Sequence, residues 1–393
     1  MNYQFARRMS NMPESFIERL FSLSSKPGVI SFAGGLPSAD LLDVDGLKSA
    51  AISVFEDDGC EALQYTTTDG YMPLREYIAE RYNKRLGLNA VPEEIRIVNG
   101  SQQCLDLVAK IFTDPGDCIG MERPGYLGAI EAFSLYEPQF ATVGLSDSGL
   151  DTEEFEDLIR KRNPAFFYGI PNFQNPSGRT YTPEIRKEIG EILKGSSTVF
   201  YEDDAFGELA FDGKPRIPVK AYAGENGIMS GSFSKIIAPG MRIGWIYAPA
   251  EIICQFDSAK QAADLHSNYL CQKIMARYLQ DNDLDEHIRK ITSVYSKRCR
   301  LMTDLMDDLF TDRLTHTNPE GGMFMLAGLP AGISSLQLFE RALAEDVAVL
   351  PGVPFYAGKG GLDNIRFNFS NADGETIKTG MERLDAALKS LGA

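Results

Sequence analysis

Short apolar runs of strand length alternate along this chain with longer helical patterns, and polar residues gather just after the strands. The runs are Ile95–Val98, Ala165–Gly169, Thr198–Tyr201, Gly227–Met229 and Ile243–Tyr247. Their continuous apolar character suits strands covered on both faces, as in a mostly parallel sheet between helical layers. The order therefore predicts an α/β fold. Ser258 to Arg300 reads as nearly continuous helix, able to connect a large central domain to a smaller one built from the C-terminal third. The opening residues to about Asp45, with ISFAGGLPSADLLD, are too rich in Gly and Pro for a core element and are expected to lie across a cleft.

The polar residues that follow the strands fall into patterns with chemical meaning. Between Met229 and Trp245, Lys235 sits among hydroxyls, with Arg242 seven residues on. A lysine amine can form a Schiff base with an aldehyde, while Ser232, Ser234 and Arg242 offer the donors and fixed charge that a phosphate dianion needs. A plain surface loop rich in Ser and Lys is the competing reading. After Val98, Ser101 and Gln102 open an apolar helix, whose first N–H groups are free to meet an anion. Ser101 as a simple N-cap is compatible with that role.

Two further patterns involve carboxylates and amides. Tyr201 leads into Glu202, Asp203 and Asp204, and a carboxylate at the end of a buried strand needs a cation, for which a protonated pyridine nitrogen is suitable. Metal binding competes weakly, since His266, His287 and His316 are remote in sequence and no second acidic cluster has ligand spacing. Asn175 precedes Pro176, which favours a turn, yet in a cleft its amide can donate to a phenolate and a substrate carboxylate. Arg366 lies inside an alternating strand, either on a solvated face or as a planar fork for a carboxylate.

Composition narrows the partners. The 393 residues are 44% hydrophobic and 24% charged, ordinary for a globular chain with a large core. A net charge of −16 with no basic stripe argues against nucleic acid or an anionic membrane surface. The six cysteines show no C-x-x-C or metal spacing and are expected to be reduced core thiols in a cytoplasmic protein. The start is polar and mixed, without a signal peptide or an apolar run of membrane-spanning length.

Taken together and in order, these motifs resemble those of the class I/II aminotransferases of fold type I, which depend on pyridoxal phosphate. The match runs from Tyr65 in LQYTTTDGYMPLR through Ser101-Gln-Gln, Tyr126 in ERPGY, Asn175 in QNPSG, Asp203 in EDDAF, Lys235 in SFSK and Arg242 to Arg366 in IRFNF. Within the family, ISFAGGLPSADLL, the Gly-Ser-Gln-Gln turn and ADLHSNYLCQ look most like the 2-aminoadipate and broad-range group. That group also resembles the C-terminal half of certain bacterial regulators. The polar start carries no DNA-binding extension, so a regulator is not expected.

The resemblance implies a large domain over 46–295 with a mostly parallel seven-stranded sheet. Residues 1–45 and 296–393 would form an N-terminal arm and a small α+β domain. It implies transfer of an amino group from an aromatic, aliphatic or 2-aminoadipate-like L-amino acid to a 2-oxo acid, with 2-oxoglutarate the expected acceptor. A lyase, decarboxylase or cyclase using the same cofactor is the alternative.

By the same resemblance, Lys235 carries the cofactor and then the α-proton, Asp203 holds the pyridine nitrogen, and Tyr126 stacks on the ring. Asn175 would bond the phenolate oxygen, while Ser101, Gln102, Ser232, Ser234 and Arg242 hold the phosphate. Gly35, Asn175 and Arg366 would receive the substrate. Asp203 is favoured over Asp204 because the family pairs the aspartate with an aromatic three residues later, here Phe206. Tyr65 would reach the phosphate of a neighbouring subunit, which makes a homodimer the minimum unit.

Two departures stand out. Family members commonly carry tyrosine where this chain has Phe206, so one hydroxyl donor to the phenolate oxygen is missing. Relatives that prefer long dicarboxylates place an arginine where this chain has Glu18, and the adjacent Arg19 would point about 100° away on a helix.

Overall fold

The computed structural model describes residues 3–12 and 28–392. Glu18 and Arg19 therefore lie outside the described residues. Strand β1 (Ile30–Ser31) comes first in the chain and pairs late, as set out below. The large sheet is built from β2 (Ile95–Val98), β3 (Cys118–Arg123), β4 (Gln139–Ser146), β5 (Gly149–Leu150), β6 (Phe166–Gly169), β7 (Val199–Asp203), β8 (Gly227–Ser232) and β9 (Gly244–Tyr247). Their spatial order is β2-β9-β8-β7-β6-β3-β4-β5. The sheet thus has eight strands where seven are expected, because the two-residue β5 folds back antiparallel on β4.

Strands β4, β3, β6, β7 and β8 run parallel, and β9 is antiparallel to both of its neighbours. A parallel return needs a crossover of about a dozen residues or more, usually a helix. Residues 233–243 supply only two 3₁₀ turns, Phe233–Lys235 and Pro239–Met241, so the chain comes back antiparallel. Because β2 is antiparallel to β9, it points the same way as the parallel strands. The C-terminal ends of β2, β3, β6, β7 and β8 therefore share one edge, where ligands bind in open α/β sheets.

Both faces of the sheet are covered. On β6, Phe166 and Tyr168 enter one apolar cluster and Phe167 the other, and on β7 the split is Val199 and Tyr201 against Phe200. Ring contacts knit each side: Phe133 meets Phe166 and Tyr168, whereas Phe155 meets Phe167 and Phe200.

The stretch expected as one helix from Ser258 to Arg300 is broken. Helices span Ala250–Asp264, Tyr269–Asp281 and Leu284–Phe310. Leu265 has a φ of 64°, and Asn268 and Asp283 each accept a hydrogen bond from a backbone N–H three residues on. Such side-chain caps start new helices and so divide what composition alone reads as continuous. The Leu284–Phe310 helix packs against Gly374–Ser390 beside the small antiparallel sheet.

That sheet contains β10 (Thr315–His316), β11 (Phe324–Gly328), β13 (Leu350–Pro351) and β14 (Asn364–Asn368), in the order β10-β11-β14-β13. Between β11 and β13, β12 (Val347–Ala348) pairs in parallel with β1 and ties the N-terminal segment to the C-terminal third. All six cysteines are free. Only Cys104 and Cys299 are fully buried, while Cys60 and Cys254 are exposed, so the expectation of core thiols fails for those two.

One buried cation fixes the segment after β6. Arg186, on the helix Pro183–Leu193, donates to the carbonyls of Pro171 (2.9 Å), Tyr181 (3.0 Å) and Ile217 (3.3 Å) and to Asn172 Oδ1 (2.6 Å). Its guanidinium is 3.8 Å from the buried carboxylate of Glu202. Removing one partner of a buried pair leaves the other charge uncompensated, so Arg186→Met should lower the unfolding free energy by about 3–5 kcal/mol. Adding Glu202→Gln should recover part of that loss, as read from urea unfolding. A loss below about 1 kcal/mol would show that the pair and its carbonyl bonds matter little.

Candidate active site

Five strand ends deliver polar side chains to one cavity of about 560 Å³. Its wall includes Gly35, Ser101, Gln102, Tyr126, Asn175, Asp203, Lys235, Arg242 and Arg366, which the sequence singles out, and Phe206. Leu36, Leu127, Ile170 and Phe324 add apolar surface that the motifs do not reveal.

Lys235 closes the 3₁₀ turn after β8, and its Nζ donates to the Gly35 carbonyl at 2.9 Å. Burial, then the positive charges of Arg366 and Arg242, push its amine down to about 8. The hydroxyl of Ser232 caps this turn, accepting from Ser234 N–H at 3.1 Å and lying 2.9 Å from Ser234 Oγ. Ser232 and Ser234 are thus engaged with each other and are absent from the cavity wall.

Asp203, at the end of β7, is 4% exposed. Tyr168 donates its hydroxyl to Oδ2 at 2.8 Å, and Ser230 donates to Oδ1 at 3.1 Å. Burial pushes this carboxyl up while those hydroxyls pull it back, with a net rise. Strand alternation turns Asp204 away from the cavity, where it accepts from Asn172 Nδ2 at 2.6 Å. The supporting pair Tyr168 and Ser230 escapes the sequence reading. Its only signal is a serine directly after the apolar run Gly227–Met229, which strand pairing sets opposite Asp203.

The helix Ser101–Phe112 begins with Gly100 as N-cap, and no side chain caps it. Ser101 is the first helical residue, not the cap, so the open N–H groups are available to an anion. Arg242 stands beside them, with Nη2 3.3 Å from the Asn99 carbonyl. A Cβ on Gly100 would lie 2.4 Å from that Nη2, and one on Gly244 would lie 2.8 Å from Ser101 N. Glycine at both positions makes this close cradle possible. Gln102 spends one amide N–H on the Gly128 carbonyl at 3.0 Å.

Arg366, in the middle of β14, is 3% exposed and pairs across strands with Leu326 and Leu350. It donates from Nη1 to Asn175 Oδ1 at 2.9 Å and from Nη2 to the Ala33 carbonyl. The rings of Phe324 and Phe355 lie 4.2 and 5.0 Å from the guanidinium. Burial pushes its pKa down to about 9, which still leaves a cation at neutral pH. Its Nε is buried without a hydrogen-bond partner. Tyr126 forms the N-cap of Leu127–Ser134, and burial and Asp203 push its hydroxyl up to about 12. Tyr65 is 79% exposed, packs edge-on against His266, and lies outside the cavity wall.

This donor set suits pyridoxal phosphate. An uncapped helix end with an arginine can receive a phosphate, a buried carboxylate lacking a cation can receive a pyridinium nitrogen, and a neutralisable amine lines the same cavity. A larger cleft of about 970 Å³ passes Arg179, Arg216 and His316. There the two arginines are paired with Asp147 and with Asp212 and Glu320, and the His316 ring lies 3.0 Å from Asp307. Among the described residues no cluster of His, Cys, Asp and Glu has the grouping to hold a metal ion.

Known proteins resemble this chain in sequence and fold along almost its whole length. The profile of the aminotransferase class I and II family matches residues 29–384. The 2-aminoadipate transaminase of Thermus thermophilus is 38% identical over 98% of this chain and 97% of its own length. The aromatic-amino-acid aminotransferase 1 of Thermococcus litoralis is 37% identical, covering 98% and 94%. The structure of Pyrococcus horikoshii kynurenine aminotransferase with PMP superposes with a TM-score of 0.93 at 35% identity, over 98% of this chain and 97% of that one. With a cavity whose donors fit the cofactor and a family match along almost the whole length, the chain belongs to the class I and II aminotransferases and is a pyridoxal-phosphate-dependent enzyme.

Proposed function

We propose that this aminotransferase takes the amino group of an L-amino acid with an aromatic or aliphatic side chain, or one like 2-aminoadipate, and passes it to 2-oxoglutarate. The observation that carries the reading is a single buried arginine, Arg366, in a cavity whose remaining wall includes Leu36, Leu127, Ile170, Phe206 and Phe324. Arg366 is preset by Asn175 and Ala33 and keeps an unpartnered Nε, so a substrate carboxylate completes its fork. Of the cations in this wall, Lys235 and Arg242 have other tasks, and no further one faces a second carboxylate among the described residues. Neutral side chains are therefore at least as well accommodated as acidic ones. The relatives named for 2-aminoadipate and for aromatic amino acids support the same breadth.

The bound cofactor supplies an electron sink for the bond cleaved at the substrate α-carbon. Arg366 clamps the carboxylate and fixes where the α-proton points. Lys235, with its amine near 8, is suited to taking that proton and returning it. Asp203, steadied by Tyr168 and Ser230, presents a carboxylate for a protonated ring nitrogen, and Tyr126 presents its ring face. Ser101, Gln102 and Arg242 form the phosphate cradle, while Ser232 and Ser234 shape the turn carrying Lys235. Gly35 orients the Lys235 amine through its carbonyl.

The site is completed by a second copy of the chain. Tyr65 is exposed and outside its own cavity, while Phe5, Ile52, Phe55 and Leu63 are also exposed on the same N-terminal part of the chain. A homodimer would cover these groups and bring Tyr65 to the neighbouring phosphate.

Mixed with one amino acid and no 2-oxo acid, the enzyme should release the matching 2-oxo acid in an amount equal to its sites, measured by mass spectrometry. Leucine and phenylalanine should react at least as fast as aspartate. Continued turnover without an acceptor, or a decarboxylated product, would rule the reaction out. In cofactor-free protein, carbamylation of Lys235 by cyanate should rise with pH to a midpoint near 8, because only the unprotonated amine reacts. An ordinary lysine would show about 10.4. Arg366→Met should move the midpoint upward by removing a like charge. Light scattering should report a dimer, and Tyr65→Ala should weaken cofactor binding without changing its mass.

A further inference from the structure

The second-last residue of strand β3 is a buried carboxylate with no part in the chemistry above. Glu122 is 1% exposed, and its three donors are neutral. Oε1 accepts from Ile170 N–H at 3.1 Å and from the Tyr181 hydroxyl, and Oε2 accepts from Gln174 Nε2 at 3.0 Å. Burial pushes the Glu122 carboxyl up to about 7, with Tyr181, Gln174 and Ile170 pulling it back. So costly a group calls for a reason, and its neighbours supply one.

Gln174 is fully buried and spends both of its polar atoms. Its Nε2 also donates to the Pro124 carbonyl at 2.8 Å, and its Oε1 accepts from the N–H and hydroxyl of Ser177 at 2.8 and 2.6 Å. Pro124 lies two residues before Tyr126, and Gln174 lies one before Asn175. Asn175 in turn holds Arg366. One carboxylate thus ties together the turn that presents the Tyr126 ring, the turn that presents the Asn175 amide, and through it the carboxylate clamp.

We infer that Glu122 is a positioning residue that, through Gln174, sets the spacing between Tyr126 on one wall of the site and Asn175 and Arg366 on the other. The inference rests on the roles proposed above for Tyr126 and Asn175. A neutral amide cannot replace the carboxylate. Whichever way the amide introduced by Glu122→Gln turned, one of its N–H groups would face either the Ile170 N–H or the Gln174 NH₂, donor against donor. Gln174 cannot flip to relieve this, because its oxygen already serves two Ser177 donors.

The test compares Glu122→Gln, Asn175→Ala and the double variant, reading the dissociation constant of pyridoxal phosphate from stripped protein and kcat and KM of the reloaded enzyme. Each single variant should weaken cofactor binding about tenfold and lower kcat/KM. The double variant should lose clearly less than the product of the two, since coupled residues are non-additive. If Asn175→Ala weakens binding while Glu122→Gln does not, or if the two losses multiply in full, the inference is overturned and the site reading stands. If Asn175→Ala changes neither quantity, the site reading fails and the inference with it. Should Glu122→Gln fail to fold, Tyr181→Phe removes one of the three donors and should give a smaller loss of the same kind. No change in cofactor affinity there would overturn the inference.

Discussion

Three ionisable groups, Asp203, Lys235 and Arg366, share one cavity without neutralising one another. Each is met instead by neutral dipoles: hydroxyls for Asp203, the Gly35 carbonyl for Lys235, and an amide and a carbonyl for Arg366. Direct ion pairing would satisfy the charges more cheaply but would leave nothing for a ligand to complete. Burying a charge against dipoles alone is costly. The shifts follow that cost: the Asp203 carboxyl moves up, and the Lys235 amine and Arg366 guanidinium move down. The rest of the fold holds these groups close together and apart from one another.

The return of β9 is central to that task. With no crossover helix between β8 and β9, Lys235 and Arg242 lie on one short connection above the sheet edge. The same antiparallel return leaves β2 pointing toward that edge and delivers the helix beginning at Ser101 beside Arg242. Arg242 adopts a left-handed conformation with φ 52°, which costs a non-glycine residue roughly 1–2 kcal/mol. Gly100 and Gly244 then allow an approach that any Cβ would block. Backbone strain and two bare Cα atoms set the close approach of Arg242 to the helix end proposed to take the phosphate, and the chain tolerates both because β2, β8 and β9 around them are paired along their length.

How much of this was legible in the sequence differs by type of residue. Lys235, Asp203, Asn175 and Arg366 stand out because polar side chains beside apolar strands are conspicuous, and all four line the cavity. The helpers are harder to see. Tyr168 lies within an apolar run, where tyrosine reads as an ordinary strand former, Ser230 directly follows one and reads as the start of a loop, and only the pairing of β7 with β8 puts Ser230 opposite Asp203. Strands β3 and β4 escape notice because Gly120, Glu122 and Arg123 interrupt the apolar signal of one, and the other lies near an edge with a half-exposed face. The long helix divides at Leu265 and Asn282 because Asn268 and Asp283 cap the segments that follow, a local effect that composition over forty residues averages away.

Phe206 shows how one missing atom is absorbed. Its ring meets Phe324 edge-on at 5.7 Å, and Phe324 lies 4.2 Å from the Arg366 guanidinium. A tyrosine at this position would carry a hydroxyl into the wall of the cavity that Asn175 also lines, a second donor beside the amide proposed to meet the cofactor. Phenylalanine leaves Asn175 as the amide there, with its Oδ1 already committed to Arg366. The aromatic pair lowers the local dielectric around the guanidinium and strengthens its attraction for a carboxylate. The same pair gives an apolar substrate side chain a surface to rest on. Through Phe324, the side chain at position 206 thus bears on the guanidinium proposed to hold the substrate carboxylate.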